Sequence, residues 1–112
     1  MKKNAKVTLE NEKEHFIEKV IIEEKNNKIN YKEQINTNVL FDKNNLILIR
    51  ENNEIYMELS FKEKNALIFI KDLRKNIEMK LKSVKTNITE KEITISYVLE
   101  DENYLYKIEM ED

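Results

Sequence analysis

The 112-residue chain is expected to fold as an all-β domain, an antiparallel up-and-down β-barrel of about eight to ten strands. Three observations lead there. Apolar residues recur with period two from Lys28 onward, the runs follow one another about every ten residues, and short polar links rich in Asn separate them.

The clearest runs are Ile29 and Tyr31; Ile55, Met57, Leu59 and Phe61; Ile77, Met79 and Leu81; Ile93, Ile95, Tyr97 and Leu99; and Tyr104, Tyr106, Ile108 and Met110. Polar residues fill the alternate positions, as Glu54, Glu58 and Ser60 do. Such strands are buried on one face and arranged as a meander of hairpins. The links fall at Asp42-Lys43-Asn44-Asn45, Asn52-Asn53, Lys62-Glu63-Lys64-Asn65 and Asp101-Glu102-Asn103.

Residues paired across a hairpin share a face, so the links assign faces. With Asn52-Asn53 as a two-residue turn, Arg50 stands opposite Ile55 and Leu48 opposite Met57, which points Leu46, Leu48 and Arg50 inward. With Phe61 opposite Ala66, the residues Ala66, Ile68 and Ile70 also point inward. Ile47, Ile49, Tyr56, Leu67 and Phe69 are then outward and form a candidate interaction patch, with Ile49 opposite Tyr56 and Glu58 between Ile47 and Phe69. The N-terminal segment or a second copy of the chain is expected to cover this patch. Between Leu81 and Ile93 the inward set shifts to Val84, Thr86 and Ile88, one residue out of step, so a β-bulge is expected near Ser83.

Toward the N-terminus, Ala5, Val7 and Leu9 alternate as a first strand. Phe16, Ile17, Val20 and Ile21 fall at helical spacing, while Val20, Ile22 and Ile29 fit extended strands. Periodicity leaves helix and strand both open for residues 10–25.

Composition bounds the rest. The length suits one domain, residues 1–112, burying roughly two-thirds of its unfolded surface. Apolar residues make up 40% and charged residues 38%, and 20 Lys and Arg face 22 Asp and Glu. The resulting net charge of −2 supplies no field for nucleic acid or an anionic membrane, so neither is an expected partner. No Cys is present, which excludes disulfides, thiolate metal sites and a cysteine nucleophile, and fits a reducing cytosol. Met1-Lys2-Lys3 is the kind of charged start that opens a signal peptide, but Asn4, Lys6, Thr8 and Glu10 follow instead of an apolar segment. The longest apolar run, Ala66 to Ile70, is far short of the roughly 20 residues of a membrane helix. A cytoplasmic location is expected. Gly and Pro are absent while Lys, Asn and Ile abound, as AT-rich bacterial codons would produce. Turns needing positive φ must therefore use other residues, Asn and Asp before all.

Laid out this way, the chain resembles the YwiB-like family of small bacterial proteins of unassigned function, whose fold is a lipocalin-like (calycin-type) β-barrel. The residues carrying the resemblance are Lys28-Ile-Asn-Tyr-Lys-Glu33, Leu48-Ile-Arg50 with Met57, Leu59 and Phe61, Ile77-Glu-Met79 with Leu81, and the hairpin from Ile93 to Met110. They cover most of residues 23–110. Where the family usually has Thr-Pro-Tyr-Gly, this chain has Asp72-Leu73-Arg74-Lys75, and the glycine that the family favours before Lys25 is missing. The resemblance implies a barrel and a strand over Phe16 to Lys25. It implies no catalytic residues.

Few residues offer chemistry. His15 is the one histidine; with no partners at ligand spacing it reads as a surface residue, and no metal or cofactor is expected. A catalytic triad would have to join it to Ser60, Ser83 or Ser96, none in a supporting motif. Glycine-rich phosphate loops are impossible. Glu33 shares the inward alternation of Ile29 and Tyr31, as Arg50 shares that of Leu46 and Leu48. Ionisable groups inside a barrel need partners, so Tyr31, Glu33 and Arg50 are either a structural ion-pair cluster or the polar anchor of a ligand site. Tyr97, Tyr104 and Tyr106 read as core rather than as stacking platforms, since acidic residues surround them. The expectation is a non-enzymatic protein holding a small molecule in or at the mouth of the barrel, or else a filled barrel whose outer patch makes a homodimer or binds a partner.

Overall fold

Alternation writes the strands and asparagines set several of the turns. The computed structural model describes residues 1–33, 35–41 and 45–111. Among them are eleven strands: β1 (Lys2–Asn11), β2 (His15–Lys25), β3 (Lys28–Lys32), β4 (Asn36–Phe41), β5 (Leu46–Glu51), β6 (Ile55–Ser60), β7 (Asn65–Ile70), β8 (Lys75–Lys80), β9 (Lys82–Ile88), β10 (Glu92–Leu99) and β11 (Glu102–Met110). Residues 10–25, for which periodicity allows helix or strand, are the end of β1, a turn and β2. Asn11 makes that turn, its side-chain Oδ1 accepting the N–H of Lys13 and of Glu14 at 2.8 Å each.

All eleven belong to one antiparallel sheet ordered β8-β7-β6-β5-β4-β3-β2-β1-β11-β10-β9. The first strand pairs with the last, Val7 opposite Ile108, which curls the meander into a nearly closed barrel. One residue, Leu81, separates β8 from β9. They act as a single bent strand whose first half pairs with β7 and second half with β10. The bend contains the expected bulge. Between the pairs Ser96 with Lys85 and Val98 with Lys82, β9 spends one residue more than β10, and Ser83 takes φ 51°.

Two hairpins have two-residue turns with positive φ at both positions, Asn26-Asn27 (49° and 61°) and Glu100-Asp101 (51° and 64°). Lys64, Arg74 and Ser83 also take positive φ. A glycine-free chain therefore puts Lys, Arg, Ser and Glu, as well as Asn and Asp, into the left-handed region. The Asn52 turn differs from expectation. Asn52 N–H donates to the Ile55 carbonyl, its Oδ1 accepts the N–H of Glu54 and Ile55, and the central residues are Asn53-Glu54. Arg50 thus stands opposite Met57, and Leu48 opposite Leu59. In the next hairpin Leu59, not Phe61, faces Ala66. Both corrections move the register by two, an even number, so every face assignment survives. Of the expected link at Asp42-Lys43-Asn44-Asn45, the first three positions lie outside the described residues.

The inner face carries the core: Val7, Val20, Ile22, Ile29, Val39, Leu46, Leu48, Leu59, Phe61, Ala66, Leu81, Ile93, Ile95, Tyr106 and Ile108 are all buried. Each apolar side chain of this size stabilises by roughly 1.5–3 kcal/mol when fully buried. Among the described residues, no helix is long and apolar enough to cross a membrane.

Candidate functional site

Two neighbouring rungs cross β3 to β8 on the inner face. The rung Ile29, Val39, Leu48, Leu59 and Ala66 is buried, and only its last member, Met79 on β8, is half-buried. One step along the strands, the rung Tyr31, Thr37, Arg50, Met57, Ile68 and Ile77 is buried only at its first two members. Arg50, Met57, Ile68 and Ile77 are half-buried, as are Ile55 and Ile70 beyond them. The barrel is therefore filled at the level of the first rung and open at the second, where a guanidinium looks onto an aliphatic wall.

Polar groups gather around that guanidinium. Arg50 Nε donates to Thr37 Oγ1 at 3.4 Å, and Thr37 is wholly buried. The Thr37 hydroxyl also meets the Tyr31 phenol, which shares a short hydrogen bond with the Tyr106 phenol of β11. Tyr97 completes the group, stacked on Tyr104 with ring centres 5.3 Å apart and tilted against Phe61 at 5.5 Å. Burial pushes the Tyr97 phenol up to about 12, and raises Tyr31 and, further, Tyr106; the Arg50 charge opposes the rise in all three. Glu18 raises Tyr31 and Tyr106 from the other side. These phenols stay neutral at ordinary pH and serve as hydrogen-bonding groups beside a permanent cation. The arrangement can bind and orient an anion; among the described residues, no cluster of His, Cys, Asp and Glu is placed to hold a metal ion.

Of the three residues expected to line the interior, the structure brings together Tyr31 and Arg50 and leaves out Glu33. Glu33 is exposed. β3 ends at Lys32 and the chain turns, Glu33 N–H donating to the Ile35 carbonyl at 3.5 Å, so the alternation that pointed Glu33 inward has already stopped. A carboxylate on the inner face near these groups is instead Glu18 on β2, opposite Val7. It follows the alternation of Val20 and Ile22 and is readable once β2 is read as a strand. Among the described residues, no carboxylate lies within ion-pair distance of Arg50.

The expected patch Ile47, Ile49, Tyr56, Leu67 and Phe69 lies on the outer face of β5 to β7, each side chain half-buried. Its internal geometry is corrected by the two-residue register change: Glu58 stands between Ile49 and Leu67, and Tyr56 pairs with Phe69. The Tyr56 hydroxyl donates to Glu58 Oε1 at 2.8 Å, which, after burial, helps push that phenol up to about 12. The N-terminal segment does not cover the patch, because β1 is part of the barrel wall between β2 and β11. His15 is exposed, 3.7 Å from Glu10 Oε2.

No protein-family model matches the chain, and no curated protein sequence does. Among solved structures, the crystal structure of the ywiB protein from Bacillus subtilis is similar, with a TM-score of 0.55 at 16% sequence identity over 99% of this chain and 91% of that one. At that identity the likeness speaks for the architecture alone. The chain has a YwiB-like barrel fold.

Proposed function

We propose that the open end of the barrel binds a small amphipathic acid, with Arg50 holding its carboxylate or phosphate and Met57, Ile68 and Ile77 covering its apolar part. The observation that carries this reading is the half-buried Arg50, which has one side-chain hydrogen bond, to Thr37, and no carboxylate partner among the described residues. A buried charge without a counter-ion is costly, and a ligand anion would supply two charge-assisted hydrogen bonds to the fork that Thr37 leaves free. The Tyr97 phenol adds a donor next to the same place. On this reading the protein is a non-enzymatic, lipocalin-like binder of the bacterial cytoplasm, needing no cofactor.

The test compares dodecanoate with dodecanol by titration calorimetry. The acid is expected to bind, the alcohol to bind at least tenfold more weakly, and Arg50→Met to lose the difference while keeping its thermal midpoint. Equal affinity for both compounds, or for wild type and variant, refutes the role of Arg50. A large fall in stability of Arg50→Met instead identifies a structural residue.

A further inference from the structure

Lys85, Ser96, Leu105 and Glu10 stand in one row across β9, β10, β11 and β1. Ser96 alternates with the buried Ile95 and Tyr97, and Glu10 follows Leu9, which packs against the core, so the row lies on the outer surface. Val98 and Asn103 face each other in the next outward row. Glu12 joins them there, its Oε1 accepting Asn103 Nδ2 at 2.9 Å and the Asn103 N–H at 3.4 Å. Together these residues line a hollow of about 380 Å³. The bulge bends β9 beside it, and Ser83, the residue that takes φ 51°, is part of the lining.

The hollow carries opposite charges on its two sides, and they do not meet. Lys85 stands on β9 and Glu10 three strands away on β1, with Glu12 beside it. Among the described residues no carboxylate lies within ion-pair distance of Lys85, and Glu10 has only His15, at 3.7 Å. Half-buried Ser96, Val98 and Leu105 lie between the two sides, the last two being apolar side chains turned away from the core. Neighbouring strands are about 4.8 Å apart and side chains stand roughly perpendicular to the sheet, so three steps separate the two charged sides by about 14 Å. An extended dipeptide holds its charged ends about 7 Å apart, and an ion contact of about 3 Å at each end brings the span to about 13 Å. A single amino acid is too short to reach both sides.

We propose that this hollow binds a free dipeptide with an apolar side chain, its C-terminal carboxylate at Lys85, its N-terminal ammonium at Glu10 and Glu12, and its side chain on Val98 and Leu105. The Ser96 hydroxyl, between the two charged sides, meets the peptide group. This is a second site, independent of the Arg50 end. Lys85, Glu10 and Glu12 are exposed, and ion pairs in water contribute little, so the affinity is expected to be about millimolar.

Titration of the isotope-labelled chain with leucyl-leucine, followed by amide chemical shifts, is expected to give saturable changes at Lys85, Ser96, Val98 and Leu105. No saturation at tens of millimolar overturns the proposal, and so do shifts centred on Arg50 and Met57, which would place the dipeptide at the open end. N-acetyl-leucyl-leucine amide lacks both charges and should bind about tenfold more weakly; equal affinity refutes the recognition of the two termini. Lys85→Met, a change on the exposed surface, should weaken leucyl-leucine about threefold and leave leucyl-leucine amide unaffected. Glu10→Gln should weaken leucyl-leucine to a similar extent and leave N-acetyl-leucyl-leucine unaffected. A variant that weakens charged and blocked peptides alike removes the assigned orientation, and the proposal fails.

Discussion

Leu48 and Arg50 occupy the same strand and the same face, two residues apart, yet Leu48 is 1% exposed and Arg50 half-buried. Their cross-strand partners repeat the difference: Leu59 and Ala66 are sealed, while Met57 and Ile68 keep contact with solvent. Side-chain type does not explain it, since Met57, Ile68 and Ile77 are as apolar as anything in the sealed rung. Position along the barrel does. The sealed rung belongs to the buried core cluster, and the open rung lies nearer the turns at Asn52–Ile55 and Lys71–Arg74. The proposed binding end rests on this contrast, an aliphatic wall left partly wet beside a cation against a filled core.

The largest effect should come from truncating each rung. Leu48→Ala is expected to lower unfolding free energy by about 3 kcal/mol, because it leaves a cavity among close-packed neighbours, whereas Met57→Ala should cost about 1 kcal/mol. Urea unfolding of the two variants measures this. Equal losses would mean that the open rung is packed as tightly as the sealed one in solution, and the ligand reading would lose its site.

That contrast was legible in the sequence only in part. Alternation and even-numbered registers assign faces well: Arg50 points inward although its predicted partner, Ile55, was wrong, because a shift of two residues leaves parity intact. The same parity fails where a strand stops, as it does after Lys32, and it missed Glu18 because Phe16, Ile17, Val20 and Ile21 imitate a helix. The level at which the barrel opens was not readable at all. It depends on which strands face each other across the interior, and no local pattern records that.

A medium effect is expected from the phenols that border the open rung. Tyr97, at about 12, lies above the ordinary tyrosine value near 10, so the neutral form is favoured in the folded state. The sign follows from proton counting. Below pH 10 neither state ionises and the contribution is fully present; as pH rises toward 12 the unfolded chain releases protons that the folded chain keeps, and stability falls. By pH 11 this phenol alone should remove about 1 kcal/mol. Tyr97→Phe, which retains the stack on Tyr104, should flatten that part of the fall in thermal midpoint between pH 9 and pH 11. An unchanged slope would show that water reaches the Tyr97 hydroxyl, and would extend the open region past the second rung.

The smallest effect concerns the turns at the two levels. Lys64 (φ 59°) closes the hairpin beside the sealed rung, where its carbonyl accepts the Leu81 N–H at 2.8 Å, and Arg74 (φ 49°) closes the hairpin beside the open one, its N–H donating to the Lys71 carbonyl at 3.3 Å. Both hold a side-chain-bearing residue in the left-handed region, which costs about 1 kcal/mol relative to glycine and is partly offset by the extra backbone freedom glycine has when unfolded. Lys64→Gly and Arg74→Gly are therefore each expected to raise stability by about 0.5 kcal/mol, read as a small increase in urea midpoint at constant slope. Equal gains would locate the difference between the two levels in side-chain packing alone. A gain confined to Arg74→Gly would mean that backbone strain, as well as missing side-chain contacts, holds the Arg50 end open.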